Sequence, residues 1–391
     1  MTDDFSPLTV ASYAAQAGST DQRSDGNSMS FPLLGLFGET GGLLSVAKKK
    51  QRDRNSYLGY SSAVVEEFGD VLWYLAAVAA RGDIRLSAIA ANALEGSSDW
   101  GRERPDLTFE QLQPDDLNHT VKRNPAFETT LLQLAQDVGT LIEDHNAGNL
   151  SDNRDLLARR LATIMGRLLQ STKEAGVTLE AAAVKNLSKN FDRWPQERAY
   201  PTPFDEAADP NERLPRFLKI EIFEREIGEQ RFVYQRCNDI FIGDRLTDNA
   251  AVADNYRFHD VFHFAHMAVL GWSPVIRALL HLKRKSTPKI DEAEDGARAI
   301  LIEEGVTTWI FGQAKELHFF DGLGPGKLPL DMLKHVRQFV AGYEVGERPL
   351  WLWEEAILQG YEAFRFLCKH RCGRLIVDMN NHSLKIEALP K

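Results

Sequence analysis

Two helical patterns of apolar residues near the start of the chain each carry acidic residues at their centre. The first covers residues 33–44 and contains Glu39, and the second covers residues 66–75. Residues three positions apart share one face of a helix, so Glu67 and Asp70 point the same way from a segment suited to burial. Carboxylates paired in such a setting either share a proton or hold a cation.

The spacing of these acids predicts a metal site. If the two helices pack antiparallel, Glu39 meets Glu67 and Asp70 across the seam and supplies a third hard oxygen ligand. Such a set of ligands suits Mg²⁺ or Mn²⁺. The alternative is that the acids flank solvent-facing stripes and that the neighbouring glycines are packing contacts.

These residues carry a resemblance to a known family. Glu39 on one helix and Glu67-x-x-Asp70 on the next resemble the MazG-like, all-alpha nucleoside triphosphate pyrophosphohydrolases, whose pattern is Glu-x-x-Glu followed by Glu-x-x-Asp. Gly42 departs from the pattern, because it stands where the family has its second Glu. The resemblance implies Mg²⁺-dependent hydrolysis of a nucleoside triphosphate, ribo or deoxyribo, to monophosphate and pyrophosphate, with Glu66 and Glu67 in the catalytic set. Glu66 would orient or deprotonate the attacking water.

A second copy of the pattern follows, which indicates an internal repeat. Its matching residues are Leu131, Leu132, Leu134, Asp137, Gly139 and Leu141, each 98 positions after Leu33, Leu34, Leu36, Glu39, Gly41 and Leu43. In the next predicted helix of this copy, Ile164 and Arg167 stand where Glu67 and Asp70 stood. The second copy has therefore lost its acids.

The last helices of the two copies show the opposite difference, because here the second copy carries the family's cations and the first copy lacks them. Residues 179–186 restate residues 86–92, and the family's last helix typically carries Asn, Lys and Arg, which Asn186, Lys189 and Arg193 resemble. We expect a tandem pseudo-dimer in which the first copy supplies metal ligands and the second supplies these three side chains to the substrate. The alternative is that Lys189 and Arg193 only form the polar face and last turn of a helix, where cations suit the helix dipole.

A basic run follows the first acidic helix directly and contains Lys48, Lys49 and Arg52. Charge runs of this kind are usually solvated helix ends. Beside a triphosphate, however, the same cations would pair with phosphate oxygens. We therefore predict that these three residues bind the substrate. The alternative is that they form a solvated helix end.

Beyond residue 215 the periodicity changes from helical to alternating. Residues 217–223 and 231–236 predict paired strands, and residues 374–378 with 383–386 predict a hairpin. Residues 243–249 read as a turn. The predicted fold class is therefore mainly α, a pseudo-dimeric bundle of tandem MazG-like helical repeats, followed by an α+β C-terminal domain with short antiparallel strands.

A second group of candidate ligands lies in this C-terminal domain. A helix predicted to begin near Asn255 carries His259, Asp260 and His263 on one arc, and histidines four apart are a known metal arrangement. An acid-rich helix predicted over residues 291–304 adds further candidates, namely Asp295, Arg298, Glu303 and Glu304. The His-Asp pair resembles that of HD phosphohydrolases, but no distal His and Asp complete that site. The alternative is a buried network of His–carboxylate and Arg–carboxylate pairs that fixes two helices.

Length, composition and charge limit the number of domains, the partners and the cellular location that we expect. The chain has 391 residues, enough for two or three domains, and its net charge of −10 disfavours stable binding of nucleic acid. Three cysteines, an odd count, argue against a disulfide framework. No apolar run approaches a membrane span and the first residues lack the order of a signal peptide, so we expect a cytoplasmic protein without a membrane partner. Homo-oligomer formation stays open.

The predicted domain organisation has five parts. They are a first repeat with the carboxylate site (1–95), a linker loop (96–126), a degenerate second repeat (127–195), a Pro-rich linker (196–215) and the C-terminal domain (216–391). The function that competes with hydrolysis is a nucleotide-binding sensor whose site has lost activity along with the second family Glu. A separate metal-dependent hydrolase in the C-terminal domain is the third alternative.

Overall fold

The computed structural model describes residues 7–22, 28–96, 98–102, 104–113 and 125–389. The chain divides into two compact units, Met1–Phe191 and Asp192–Lys391. The prediction of a mainly helical first half followed by an α+β part is confirmed by the helices and strands of these units. Each unit is described below by itself.

Helices are the main regular structure among the described residues of the first unit, which also contain one β-bridge between Thr9 and Thr108. The α-helices are α1 (Val10–Ser19), α2 (Ser30–Asp53), α3 (Tyr60–Arg81), α4 (Leu86–Glu95), α5 (Phe109–Leu112), α6 (Pro125–Asn146), α7 (Arg154–Ala175) and α8 (Leu179–Arg193), the last of which continues into the second unit. The four long helices α2, α3, α6 and α7 supply most of the core. Leu36, Leu72, Leu134 and Leu161, one from each, have no solvent exposure.

Helices α2 and α3 pack antiparallel. Gly35 faces Tyr74 and Gly42 faces Glu67, so positions that rise along α2 fall along α3. Helices α6 and α7 form a second pair, and α2 also packs on α6. The last helix of each repeat packs on the other repeat. Helix α4 packs on α7, and α8 packs against Gly69 of α3.

Equivalent positions of the two helix pairs have equivalent burial. Leu36 and Leu134 are fully buried, whereas Leu34 and Leu132 are 71% and 64% exposed. Burial that repeats at the same 98-residue offset means that corresponding faces of α2 and α6 are directed at the core. This agreement in burial, together with the match in sequence, supports the equivalence of the two segments.

The helical run Ser30–Ser56 is long and apolar enough, by length and composition, to cross a membrane. This finding differs from the expectation that no run reaches that length. One face of the run, which includes Leu33, Leu36 and Leu43, is buried in the core of the first unit. A core helix of a folded domain meets the same criteria of length and composition, so they do not distinguish the two cases.

The segment predicted as a linker loop, residues 96–126, contributes to the core where the structure describes it. Helix α5 begins with a capping box formed by Thr108 and Gln111. Leu107, Phe109 and Leu112 are buried. Residues 114–124 of the predicted loop lie outside the described residues.

The Pro-rich segment of residues 196–215 lies inside the second unit rather than before it. Asp205 is fully buried and pairs with Arg277 and Arg216, and its carboxylate accepts a hydrogen bond from the backbone of Leu214 at 2.7 Å. Composition alone indicated a linker. The ion pairs that Asp205 forms with distant arginines are what fix this segment in the unit.

The second unit contains one antiparallel sheet of five strands among its described residues. The strands are β1 (Phe217–Ile227), β2 (Gln230–Cys237), β3 (Ile240–Leu246), β4 (Cys372–Asp378) and β5 (Ser383–Glu387), in the spatial order β3-β2-β1-β4-β5. The predicted strand pair over 217–236 and the predicted hairpin over 374–386 are both confirmed. The turn predicted over 243–249 is wrong in its first half, because β3 pairs with β2 there through a β-bulge.

Helices fill the long connection between β3 and β4. They are α9 (Asp260–Ala265), a π-helical turn (His266–Leu270), α10 (Pro274–Leu279), α11 (Pro288–Ala293), α12 (Ala297–Glu316), α13 (Leu330–Phe339) and α14 (Leu350–His370). A 3₁₀ turn, Tyr256–Phe258, precedes α9, close to the predicted helix start. The acid-rich helix predicted over 291–304 is instead two helices, because the Asp295 carboxylate binds the backbone and side chain of Arg284 and the chain turns at Gly296.

Candidate functional site

Four carboxylates of α2 and α3, those of Glu39, Glu66, Glu67 and Asp70, make up an acidic cluster. Glu67 is its most perturbed member. Burial disfavours the charge of its carboxylate, repulsion from the other three acids adds to this, and together they raise the pKa of Glu67 to about 7. Glu67 Oε2 is buried and lacks a hydrogen-bond partner. A buried carboxylate oxygen with nothing to bind is a common feature of a ligand site.

Gly42 explains how the Glu67 carboxylate reaches its position. A Cβ atom built on Gly42 would lie 2.0 Å from Glu67 Oε2, which is far inside contact distance. The side chain of Glu67 therefore occupies space that any side chain at position 42 would need. A glutamate at position 42, as in the pattern of the resembling family, would therefore require the Glu67 carboxylate to move.

Helix α8 brings an amide and a cation to the acidic cluster. Gly69 permits close packing, since a Cβ there would lie 2.5 Å from the carbonyl oxygen of Ala182. Asn186 Nδ2 donates to Asp70 Oδ1 at 2.9 Å, and Lys189 Nζ donates to both Asp70 oxygens and to Glu66 Oε1.

The carboxylates of Asp70 and Glu66 stabilise the positive charge of Lys189. Burial opposes the charge, but Asp70 and Glu66 outweigh it and raise the pKa of the ammonium. Tyr13 of α1 donates to Asn186 Oδ1 at 3.2 Å and so orients the amide. Side chains from both sequence repeats therefore meet at one place in the first unit.

The other cations predicted to bind substrate lie elsewhere. Arg193 is buried in the second unit, where it pairs with both oxygens of Glu354 and donates to the carbonyl of Leu328 at 3.0 Å. Lys48 and Lys49 are exposed in the last turns of α2. Arg52 is exposed and pairs with its neighbour Asp53.

A second group of candidate ligands lies in the second unit. Two sets of side chains bring their donor atoms within 4.8 Å of one another, one made of His259, Asp260 and His263 and one made of His263, His266 and Glu303. These His and acid clusters could hold a metal ion. Among the described residues no set of the acidic cluster in the first unit meets this spacing.

Glu303 of α12 is the centre of the buried set. It has no solvent exposure, and its Oε1 lies 3.0 Å from His266 Nδ1 and 3.0 Å from His263 Nδ1. Burial would raise the pKa of Glu303, but the two imidazoles outweigh it and lower the pKa to about 2. Its Oε2 accepts hydrogen bonds from Ser273 Oγ and from the backbone of Val275.

His263 is also fully buried and is bounded by carboxylates on both sides. Its Nε2 lies 3.5 Å from Glu304 Oε1, opposite the nitrogen that faces Glu303. Burial lowers the pKa of His263, but the two glutamates outweigh it, and the net shift is well above the usual value. Neither ring nitrogen has a partner with hydrogen-bond geometry.

Asp295 and Arg298 lie apart from this histidine cluster. Asp295 is buried and binds Arg284 and Arg277, and Arg298 is exposed at the start of α12. Two residues that contact the cluster were not among the sequence candidates. Gln235 of β2 donates to Asp260 Oδ2, and Ser273 donates to Glu303. A strand residue and a helix cap give no local signal of such a role.

The fold and these sites define a chain with a carboxylate-bearing helical unit and an α+β unit that contains a histidine and acid cluster. Residues 199–390 match the family model of the MazG C-terminal domain, which indicates a relation to MazG. The helical region before residue 199 has no family match, so no catalytic pyrophosphohydrolase domain is identified there. Searches of curated proteins and of solved structures gave no match.

Proposed function

We propose that this chain is a Mg²⁺-dependent nucleoside triphosphate pyrophosphohydrolase whose site is the acidic cluster of the first unit. The observation that carries the proposal is the meeting of Glu66 and Asp70 with Asn186 and Lys189. Acids from the first repeat and polar groups from the last helix of the second make one site, as expected of a tandem pseudo-dimer. The relation to MazG through residues 199–390 is consistent with it.

The ligand types of the acidic cluster suit a hard divalent cation, although their oxygen atoms do not meet the spacing found for the histidine cluster. Glu39, Glu67 and Asp70 would hold Mg²⁺ or Mn²⁺ through carboxylate oxygens, which both ions prefer. The unpartnered, buried Glu67 Oε2 and the repulsion that raises the pKa of Glu67 are the features that a cation would relieve. When bound, the metal ion supplies neutralisation of phosphate charge.

The remaining residues act on the substrate and the water. Lys189 now neutralises Asp70, and a cation on the acids would leave its ammonium to pair with phosphate oxygens. Asn186, oriented by Tyr13, offers its amide to phosphate or sugar. Glu66 orients or deprotonates the attacking water, a role that requires it to remain a carboxylate.

The test is a screen for pyrophosphate release from all ribo- and deoxyribonucleoside triphosphates, with Mg²⁺ and then with Mn²⁺. We expect Glu67→Gln to reduce turnover by at least about 10²-fold, since metal-ion stabilisation is worth several kcal/mol. Asp137→Asn is the matched control, because Asp137 occupies the position of Glu39 in the degenerate repeat. Pyrophosphate release that is equal in Glu67→Gln and the original chain would contradict the proposal.

A second candidate function is a nucleotide-binding sensor. Gly42 favours it, because the family's second Glu is missing and Lys189 already compensates Asp70. Nucleotide binding in calorimetry without pyrophosphate from any triphosphate would support this function and exclude the hydrolase.

A further inference from the structure

The histidine cluster of the second unit contains two imidazoles whose Nδ1 atoms lie beside oxygen atoms. His259 Nδ1 lies 2.9 Å from the carbonyl oxygen of Tyr256, and His263 Nδ1 lies 3.0 Å from Glu303 Oε1. The carbonyl oxygen can only accept, so His259 Nδ1 carries the ring hydrogen, whereas His263 Nδ1 lies close to the Glu303 carboxylate without hydrogen-bond geometry. The lone pair of the uncharged His259 ring is then on Nε2, which lies 3.2 Å from Asp260 Oδ1.

We propose that this unit binds a transition-metal ion through His259 Nε2, Asp260, His263 Nε2 and Glu304. One donor atom from each of His259, Asp260 and His263 lies within 4.8 Å of the other two, and Glu304 Oε1 is 3.5 Å from His263 Nε2. This site is separate from the acidic cluster and does not depend on the proposed pyrophosphohydrolase.

The surroundings hold these ligands in place. A histidine that binds metal usually donates its other nitrogen to a carboxylate or a carbonyl, and His259 Nδ1 has that arrangement with Tyr256. His263 Nδ1 lies 3.0 Å from Glu303 Oε1. Glu303 is itself fixed by His266, by Ser273 Oγ and by the backbone of Val275. The Tyr256 ring stacks on His259 with a centroid distance of 4.5 Å and an interplanar angle of 1°.

Solvent access favours metal binding by His259, Asp260 and His263 over binding by the more deeply buried set of His263, His266 and Glu303. His263, His266 and Glu303 are at most 2% exposed, and both oxygens of Glu303 already accept hydrogen bonds. The side chains of Asp260 and Glu304 are 14% and 38% exposed, which provides a route for an ion. Glu303 therefore orients a ligand instead of binding the metal.

The donor types indicate the class of metal. Two imidazole nitrogens with carboxylates suit Zn²⁺, Co²⁺, Mn²⁺ or Fe²⁺, whereas Mg²⁺ prefers oxygen ligands and water. The two units would then bind different ions, a hard cation in the first and a borderline one in the second.

The test titrates the full chain with Co²⁺ in excess Mg²⁺, so that the acidic cluster is occupied, and follows the visible absorption of imidazole-bound Co²⁺ and its displacement by Zn²⁺. We expect His259→Ala and Asp260→Asn each to weaken Co²⁺ binding by more than the roughly 10–100-fold that loss of an orienting residue causes. Glu303→Gln should weaken binding by about 10–100-fold. His335→Ala, an exposed histidine on α13 of the same unit, should leave binding unchanged.

A folding control and a variant of the first unit make the Co²⁺ result specific to the histidine cluster. His263 is fully buried, so the two less buried ligands carry the test, and circular dichroism melting shows that each variant is folded. Glu67→Gln in the first unit should not change Co²⁺ binding, which separates this result from the pyrophosphohydrolase assay. Absence of bound Co²⁺ and Zn²⁺ in the original chain, or equal binding by folded His259→Ala, would overturn the proposal.

Discussion

Helices α2 and α6 have the same burial pattern, but the helix pairs α2/α3 and α6/α7 differ in how their charges are compensated. At the three positions that correspond, Glu39, Glu67 and Asp70 of the first pair are replaced by Asp137, Ile164 and Arg167 in the second. Arg167 Nε lies 3.1 Å from Asp137 Oδ2, and Ile164 has no solvent exposure. The second pair thus compensates its own charge.

In the first pair, the charge of Asp70 is compensated by a cation from outside the pair. Its Glu67 has a pKa raised to about 7, and the cation that neutralises Asp70 comes from α8. A structural helix pair gains by pairing its charges within itself, as Asp137 and Arg167 do. A carboxyl perturbed in this way is the expected feature of a site that binds something. The comparison therefore supports the proposal that the functional site lies in the first repeat.

The largest expected effect comes from making the second pair resemble the first. Ile164→Glu would place a carboxylate at a position with no exposure in a core of apolar side chains. We expect the free energy of unfolding to fall by about 3–5 kcal/mol, the usual cost of an uncompensated buried charge. Urea denaturation followed by circular dichroism at pH 7 measures it.

Two variants control this prediction. Leu132→Glu on α6, where the side chain is 64% exposed, should change stability by no more than about 0.5 kcal/mol. Glu67→Ile, the reverse exchange in the first pair, should leave stability unchanged or raise it, because an apolar group then replaces a repelled carboxylate. If Ile164→Glu costs no more than Leu132→Glu, position 164 is not the buried counterpart of position 67.

Local patterns predicted the helices of the two pairs and two of the strand pairings, because this information lies within a few residues. Apolar spacing predicted α2 and α3, and alternation predicted the pairing of β1 with β2. The 98-residue offset indicated a repeat, and the burial of α2 and α6 follows the same offset. The placement of Asn186 and Lys189 beside Asp70 required the family resemblance as well, since no local pattern joins residues so far apart.

Long-range ion pairs account for much of what the sequence did not show. Arg193 ends the helix that carries Lys189 to Asp70, but its own partner Glu354 is 161 residues away along the chain. Asp295 belongs to an acidic stretch, yet it binds Arg284 and ends the predicted helix. An ion pair between distant segments has no periodicity, so composition and spacing cannot identify it.

A smaller effect follows from the pKa of Glu67 in metal-free buffer. The native carboxyl holds its proton up to about pH 7, whereas the ordinary value is 4.5. The native state thus binds more protons than the unfolded state between these values, and the free energy of unfolding falls as the pH rises through them. Partial exposure of the side chain limits the decrease to about 1–2 kcal/mol. Urea denaturation from pH 4.5 to pH 7.5 with EDTA measures it.

Glu67→Gln supplies the control for this pH dependence. The other titrating groups are common to both proteins, so the difference between the two curves isolates Glu67. The decrease attributed to Glu67 should be absent from the variant, and Mg²⁺ should raise the stability of the original chain at pH 7 by binding to the native state. Parallel curves for the two proteins would show that the Glu67 carboxyl is not perturbed.

The smallest effect compares two adjacent glycines of α2. A Cβ at Gly41 meets nothing within 4 Å, so Gly41→Ala should raise the free energy of unfolding by about 0.5–1 kcal/mol through helix propensity alone. Gly42→Ala has the same propensity gain, but its Cβ would lie 2.0 Å from Glu67 Oε2 and displace that carboxylate. We expect a smaller gain and a weaker rise of Tm on adding Mg²⁺. Equal Mg²⁺ responses in the two variants would mean that the carboxylate beside Gly42 is not a metal ligand.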